Sequence, residues 1–261
     1  MSSVTYRRVR ILGHHVRMRI MFVGDSMTIG ATGDFTWRYR MWQHLNATCA
    51  GPYRIVGPRH TLHDPTEGTD ASTAYADPGF PDEARRHLAG WGEGWLHMAP
   101  LIGDAVRGHR ADTLLVSLGL IDLGFYTNAE QTAENVRHFV AQARQAAPHI
   151  RAVLMPVIPN VRASADPAFG AECTRFNELL AKTVADLSTP ASPLLLTSEP
   201  DSWETSRATY DGTHPSEHGE HLLAGAFAQA MHQAWGVGGP YRAEVASGAA
   251  GRTLTAERSL A

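Results

Sequence analysis

Short apolar runs recur along the chain with helix-length spacers between them, and few folds accept that rhythm. The runs are residues 19–24 (RIMFVG), 113–118 (TLLVSL), 151–158 (RAVLMPVI) and 193–197 (PLLLT), with a weaker fifth at 53–57 (YRIVG). Runs this short, apolar at nearly every position and bounded by turn residues, read as strands buried on both faces. The spacers carry helical periodicity. Residues 35–47 place Phe35, Tyr39, Trp42 and Leu45 at spacings of four, three and three, 129–147 group Val136, Phe139 and Val140, and 171–187 and 216–235 continue the alternation. Strands separated by helices need crossover connections, so the expected fold is α/β, with a mostly parallel five-stranded sheet covered on both faces.

The rhythm breaks once. Residues 58–90 are rich in Pro, Gly, Asp and Thr and too long for an ordinary connection, which predicts a functional loop or lid. Periodicity ends after Trp235. The expected organisation is a basic flank at 1–18, one domain over 19–235, and a flexible tail at 236–261, within a length of 261 that can bury a core unaided.

Composition narrows the function. A net charge of -3 lacks the basic stripe of a nucleic-acid protein, and the cluster Arg7, Arg8, Arg10, Arg17 and Arg19 reads as a solvated flank. Two cysteines, Cys49 and Cys173, form no disulfide framework, and no run approaches the ~18 apolar residues of a membrane span. Without a recognisable signal peptide, the expected location is cytoplasmic. The 14 histidines are scattered, with His14-His15 the only adjacent pair, so no metal or other cofactor is expected. Of the 23 basic residues only Lys182 is Lys. Together with the abundant Ala this reads as coding bias, although the Arg-rich start, or Arg38 and Arg40, would suit a carrier or coenzyme phosphate.

In open parallel sheets, ligands bind beyond the carboxyl ends of the strands. After the first strand comes Gly24-Asp25-Ser26-Met27-Thr28-Ile29-Gly30, a small-residue turn into a helix. A serine there presents its hydroxyl beside backbone N–H groups that favour negative charge, as a nucleophile requires; the bland alternative is a helix cap. Near the end of the chain stands Asp211-Gly212-Thr213-His214-Pro215. Asp and His three apart can touch, leaving the second ring nitrogen for the serine.

These blocks, in this order, resemble the SGNH hydrolases of the GDSL type, a group of esterases, lipases, thioesterases and acyltransferases on a three-layer flavodoxin-like sandwich. The resemblance spans about residues 19–235. GDSMTIG resembles the first family block and implies Ser26 as nucleophile, with Asp25 in support; DGTHP resembles the last and implies Asp211 and His214 as the other triad members. HLAGWGEGW matches the second block, which implies that the N–H of Gly92, or of Gly94, joins that of Ser26 in an oxyanion hole. In the third block the family shows Gly-x-Asn-Asp, whereas this chain has Gly119-Leu120-Ile121-Asp122. Ile121 has no donor to offer; Thr28, Asn128 or a water are the candidate replacements, and Asp122 is expected to brace its turn.

The implied activity is hydrolysis of a small-molecule carboxylic ester or thioester, with acyl transfer to another acceptor, or ligand binding by a weakened enzyme, as alternatives. Six aromatics flank the blocks: Trp37, Trp42, Trp91, Trp95, Phe125 and Tyr126. Two or three of them are expected to line an acyl pocket. The sequence leaves the oligomeric state open.

Overall fold

In the computed structural model, residues 18–243 are described, and the basic residues at 7, 8, 10 and 17 lie outside them. The elements run β1 (Met18–Gly24), α1 (Ser26–Ile29), α2 (Trp37–Thr48), β2 (Tyr53–Ile55), β3 (Leu62–Asp64), β4 (Thr69–Ser72), β5 (Leu88–Ala89), α3 (Trp95–His109) and β6 (Thr113–Ser117). They continue with α4 (Ala129–Ala146), β7 (Arg151–Met155), α5 (Val161–Ala165), α6 (Pro167–Leu187), β8 (Leu194–Leu196), α7 (Thr205–Ala208) and α8 (Glu217–Trp235).

Each expected strand forms. They pair in parallel in the order β2-β1-β6-β7-β8, and β5 continues the β2 edge beside the end of β1. This is the doubly wound order whose ligand crevice opens where the winding reverses, between β1 and β6. Side chains alternate across the sheet. Met21, Val23, Leu114, Val116, Ala152 and Leu154 pack under α3, α4 and α6, whereas Ile20, Phe22, Leu115, Val153 and Met155 pack under α2 and α8. Burial on both faces is why these strands are apolar throughout.

Residues 58–90 are less irregular than their composition predicts. They contain the antiparallel hairpin β3–β4 and a single 3-10 turn at Asp82–Ala84. Leu62, Tyr75 and Phe80 of this segment are buried. At the other end, the Tyr241 ring packs at a tilt against His44 with centroids 5.1 Å apart and its hydroxyl lies 2.8 Å from His221 Nδ1, which seats Tyr241 against α2 and α8. Among the described residues no helix is long and apolar enough to cross a membrane.

Candidate active site

The turn after β1 divides two tasks between neighbours. Asp25 is the cap of α1: its carboxylate accepts the Met27 N–H at 3.0 Å. Ser26 is then the first helical residue, free of capping duty, and neither its N–H nor its Oγ has a hydrogen-bond partner among the described residues. Burial pushes Asp25 up to about 7 against the Met27 hydrogen bond, with the nearby Asp122 charge adding to the rise.

The Asp-x-x-His turn closes as its spacing predicts. Asp211 Oδ1 accepts the backbone N–H groups of Thr213 (2.9 Å) and His214 (2.7 Å), and Asp211 Oδ2 lies 2.6 Å from His214 Nδ1. Burial works to raise the Asp211 carboxyl, but the ring and backbone hydrogen bonds outweigh it and hold the group below its ordinary value. Val161 N–H donates to Gly212 O at 2.9 Å, tying the turn to the start of α5. The remaining ring nitrogen, Nε2, is left for a partner.

A second His–Asp pair braces this turn from the hairpin. His63 Nδ1 lies 2.8 Å from Asp70 Oδ1, and Asp70 Oδ2 accepts the Trp91 N–H at 3.1 Å. The Trp91 ring stacks on His63 (centroids 4.2 Å, 17°) and also on His214 (4.6 Å, 19°). An indole face against the imidazole restricts the rotation of the ring. Sequence reasoning missed His63 and Asp70, because a hairpin this polar gives no strand signal.

Ser26, Trp91, Gly92 and His214 line one cavity of about 440 Å³ beyond the carboxyl ends of the strands. Leu120, Ile121, Phe125, Tyr126 and Phe169 supply most of its apolar wall. Gly92 sits at φ 73° in a tight turn in which Glu93 N–H donates to Gly90 O, and the Gly92 N–H has no partner among the described residues. Gly94 is committed elsewhere. It caps α3, its N–H donates to His97 Nδ1, and a Cβ there would stand 2.2 Å from Asp122 Oδ2.

Asp122 accepts the Trp95 and Leu96 N–H groups at 2.8 and 3.0 Å, a brace for α3 from a wide turn in which Thr127 N–H reaches back to Asp122 O. Burial raises the Asp122 carboxyl against those two donors. Gly119, at φ 128°, lets the chain leave β6 beneath Phe176, whose ring would meet a Cβ at 2.8 Å.

Several expectations are corrected. Thr28 is wholly buried with its Oγ1 beside Trp37 Nε1, and Asn128 accepts the Gln131 N–H as the cap of α4; neither reaches the cavity. The expectation of two or three cavity aromatics among the six holds: Trp91, Phe125 and Tyr126 line it, whereas Trp37 and Trp95 are core residues and Trp42 packs on Tyr39 and Phe80. Arg38 and Arg40 are buried and do not face a phosphate. The Arg38 fork donates to the carbonyls of Thr28, Ile29 and Arg85, and Arg40 Nε donates to Glu220 Oε2 at 3.1 Å. Conversely, Asn160 and Arg162 line the cavity. Both follow β7, and reading the residues beyond that strand, as beyond β1, would have found them.

The profile of the GDSL-like lipase/acylhydrolase family matches residues 22–222. Comparison with curated proteins finds no match. Similar solved structures include an acetyl esterase mutant with acetate ion (TM-score 0.67, 20% identity, 83% of this chain and 97% of that one). A carbohydrate esterase family 3 from Talaromyces cellulolyticus is similar at TM-score 0.67 and 22% identity, with the same coverage of 83% and 97%. The Clostridium thermocellum family 3 carbohydrate esterase follows at 0.61 and 18%, covering 83% and 96%. At these identities the likeness is one of fold. The family match carries more, since it spans the blocks from β1 into α8: the chain belongs to the GDSL-like lipase/acylhydrolase family of SGNH hydrolases, which are ester hydrolases.

Proposed function

We propose that the protein hydrolyses a carboxylic ester or thioester through an acyl-serine intermediate, with Ser26 as nucleophile, His214 as general base and acid, and Asp211 as its orienting carboxylate. The observation that carries this reading is the 2.6 Å Asp211–His214 contact on the wall of the cavity that also holds Ser26. His214 Nε2 takes the Ser26 Oγ proton as Oγ bonds to the substrate carbonyl carbon, and the oxyanion forms. Collapse expels the alcohol or thiol, which leaves with the proton from His214. Water, deprotonated by His214, then attacks the acyl-serine and releases the acid. Asp211 stays ionised throughout, consistent with its lowered pKa.

The unpartnered N–H groups of Ser26 and Gly92 are the natural oxyanion donors. Ile121 supplies none, and loss of one such donor typically costs about 10²–10³ in turnover. The enzyme is therefore expected to be slow on simple esters. Ser26→Ala and His214→Ala should each lower kcat on p-nitrophenyl acetate at least about 10³-fold in a protein with an unchanged circular dichroism spectrum. Activity near wild type in either variant refutes the assignment.

A further inference from the structure

Among the described residues the cavity is lined without a carboxylate, and the one permanent charge on its wall is the Arg162 guanidinium. That cation is held in place rather than free. Its carbon lies 4.1 Å from the Phe169 ring centroid and 5.7 Å from that of Phe125, and Nη1 donates to Gly124 O at 3.0 Å. The Phe169 face and one carbonyl orient this exposed side chain, while Nε and Nη2 have no hydrogen-bond acceptor and Arg162 has no carboxylate partner among the described residues. Seven other described arginines are engaged within the protein, and none of them lines this cavity. Arg40, Arg59, Arg85, Arg107, Arg137 and Arg175 have carboxylate partners, and Arg38 serves carbonyls. A guanidinium oriented by a ring and a carbonyl, with donors to spare, is suited to bidentate recognition of an oxyanion group.

We propose that Arg162 is a specificity-determining residue, and that the substrates are esters carrying a carboxylate or phosphate a few bonds from the scissile carbonyl. This rests on the ester-hydrolase reading above. At about 440 Å³ the cavity has room for far more than an acetyl group, and the apolar wall formed by Leu120, Ile121, Phe125 and Phe169 accommodates the methylenes or ring between the two ends. The negative group meets Arg162 while Ser26, which lines the same cavity, attacks the carbonyl.

The test compares matched esters that differ in one charge. 4-Nitrophenyl butyrate against 4-nitrophenyl hydrogen succinate places the charge on the acyl side; phenyl acetate against 4-acetoxybenzoate places it on the leaving group. The wild-type enzyme is expected to prefer the charged member of at least one pair in kcat/KM, and the pair that responds identifies the side. Arg162→Gln should lower that charged-over-neutral ratio about tenfold, chiefly through KM, and Arg162→Lys should restore part of it. A wild-type enzyme without charge preference in either pair, or an Arg162→Gln enzyme whose ratio is unchanged, overturns the proposal. Fluorophosphonate labelling of wild-type Ser26 separates the two readings: labelling without charge preference removes the Arg162 proposal alone, and no labelling removes the triad on which it rests.

Discussion

At the scale of single residues, the account turns on positions where one atom decides the chemistry. Ile121 lines the cavity where the family has a side-chain amide. Ile121→Asn should raise kcat on short p-nitrophenyl esters, by up to about 10²-fold if the amide reaches the oxyanion. An unchanged or lower rate in a folded variant would show that the hole is organised by other groups. The 2.6 Å contact between Asp211 and His214 was legible in sequence because their three-residue spacing within one turn nearly dictates it, and Ser26, read from the turn after β1, lines the same cavity as His214. Sequence offered Gly92 and Gly94 alike, and telling them apart needs three dimensions: the Gly94 N–H is donated to His97 Nδ1 at the start of α3, whereas the Gly92 N–H has no partner among the described residues. The question whether Arg38 and Arg40 meet a phosphate could not be answered from sequence for a related reason. Composition shows a cation, while its neighbours, Thr28, Ile29 and Glu220, are brought together by the fold alone.

At the scale of elements, the strands were readable because burial on both faces leaves an uninterrupted apolar run, and the helix α3 was not. Pro100, Gly103 and Gly108 look like breakers within Trp95–His109. Yet Trp95, Met98, Ala99, Ile102, Ala105 and Val106 are buried on one face, and Asp122 satisfies the N–H groups of its first turn. Tertiary packing outweighs the propensity cost, with Pro100 on the exposed side. Helices α2 and α8 are joined by a buried ion pair that no local pattern announces. Glu220 accepts the Thr36 N–H at 2.7 Å and the Arg40 Nε at 3.1 Å, and burial pushes its carboxyl up to about 7 despite Arg40. Glu220→Ala removes the buried partner of Arg40 and leaves its guanidinium only the 3.5 Å contact with the exposed Glu217, and should cost about 3–5 kcal/mol in urea denaturation. Glu220→Gln, which keeps an acceptor for Thr36, should cost less. A loss below about 1 kcal/mol for Glu220→Ala would mean that water or a shift of α8 serves Arg40 instead.

At the scale of the whole molecule, stability and activity both depend on groups the fold has taken out of water. Folded Asp25 holds its proton up to about pH 7, whereas the unfolded chain releases it near the ordinary value of 3.8. Folding is therefore increasingly opposed by this group as pH rises from about 4 to 7. His87 and His221, pushed down by burial, act the other way, since the stability they contribute above pH 6.5 is lost as pH falls. Asp25→Asn isolates the first effect: its Tm relative to wild type should increase between pH 5 and pH 8, and a difference independent of pH contradicts the assignment. The larger claim is that the sheet gathers three segments distant in sequence, the Asp25-Ser26 turn, the Trp91-Gly92 turn and the Asp211–His214 turn, into one acyl-transfer site. Treatment with a fluorophosphonate followed by mass spectrometric mapping tests it most directly. The expected result is a single adduct on Ser26 that is lost or greatly slowed in His214→Ala; an adduct elsewhere, no adduct, or labelling unchanged by His214→Ala would contradict it.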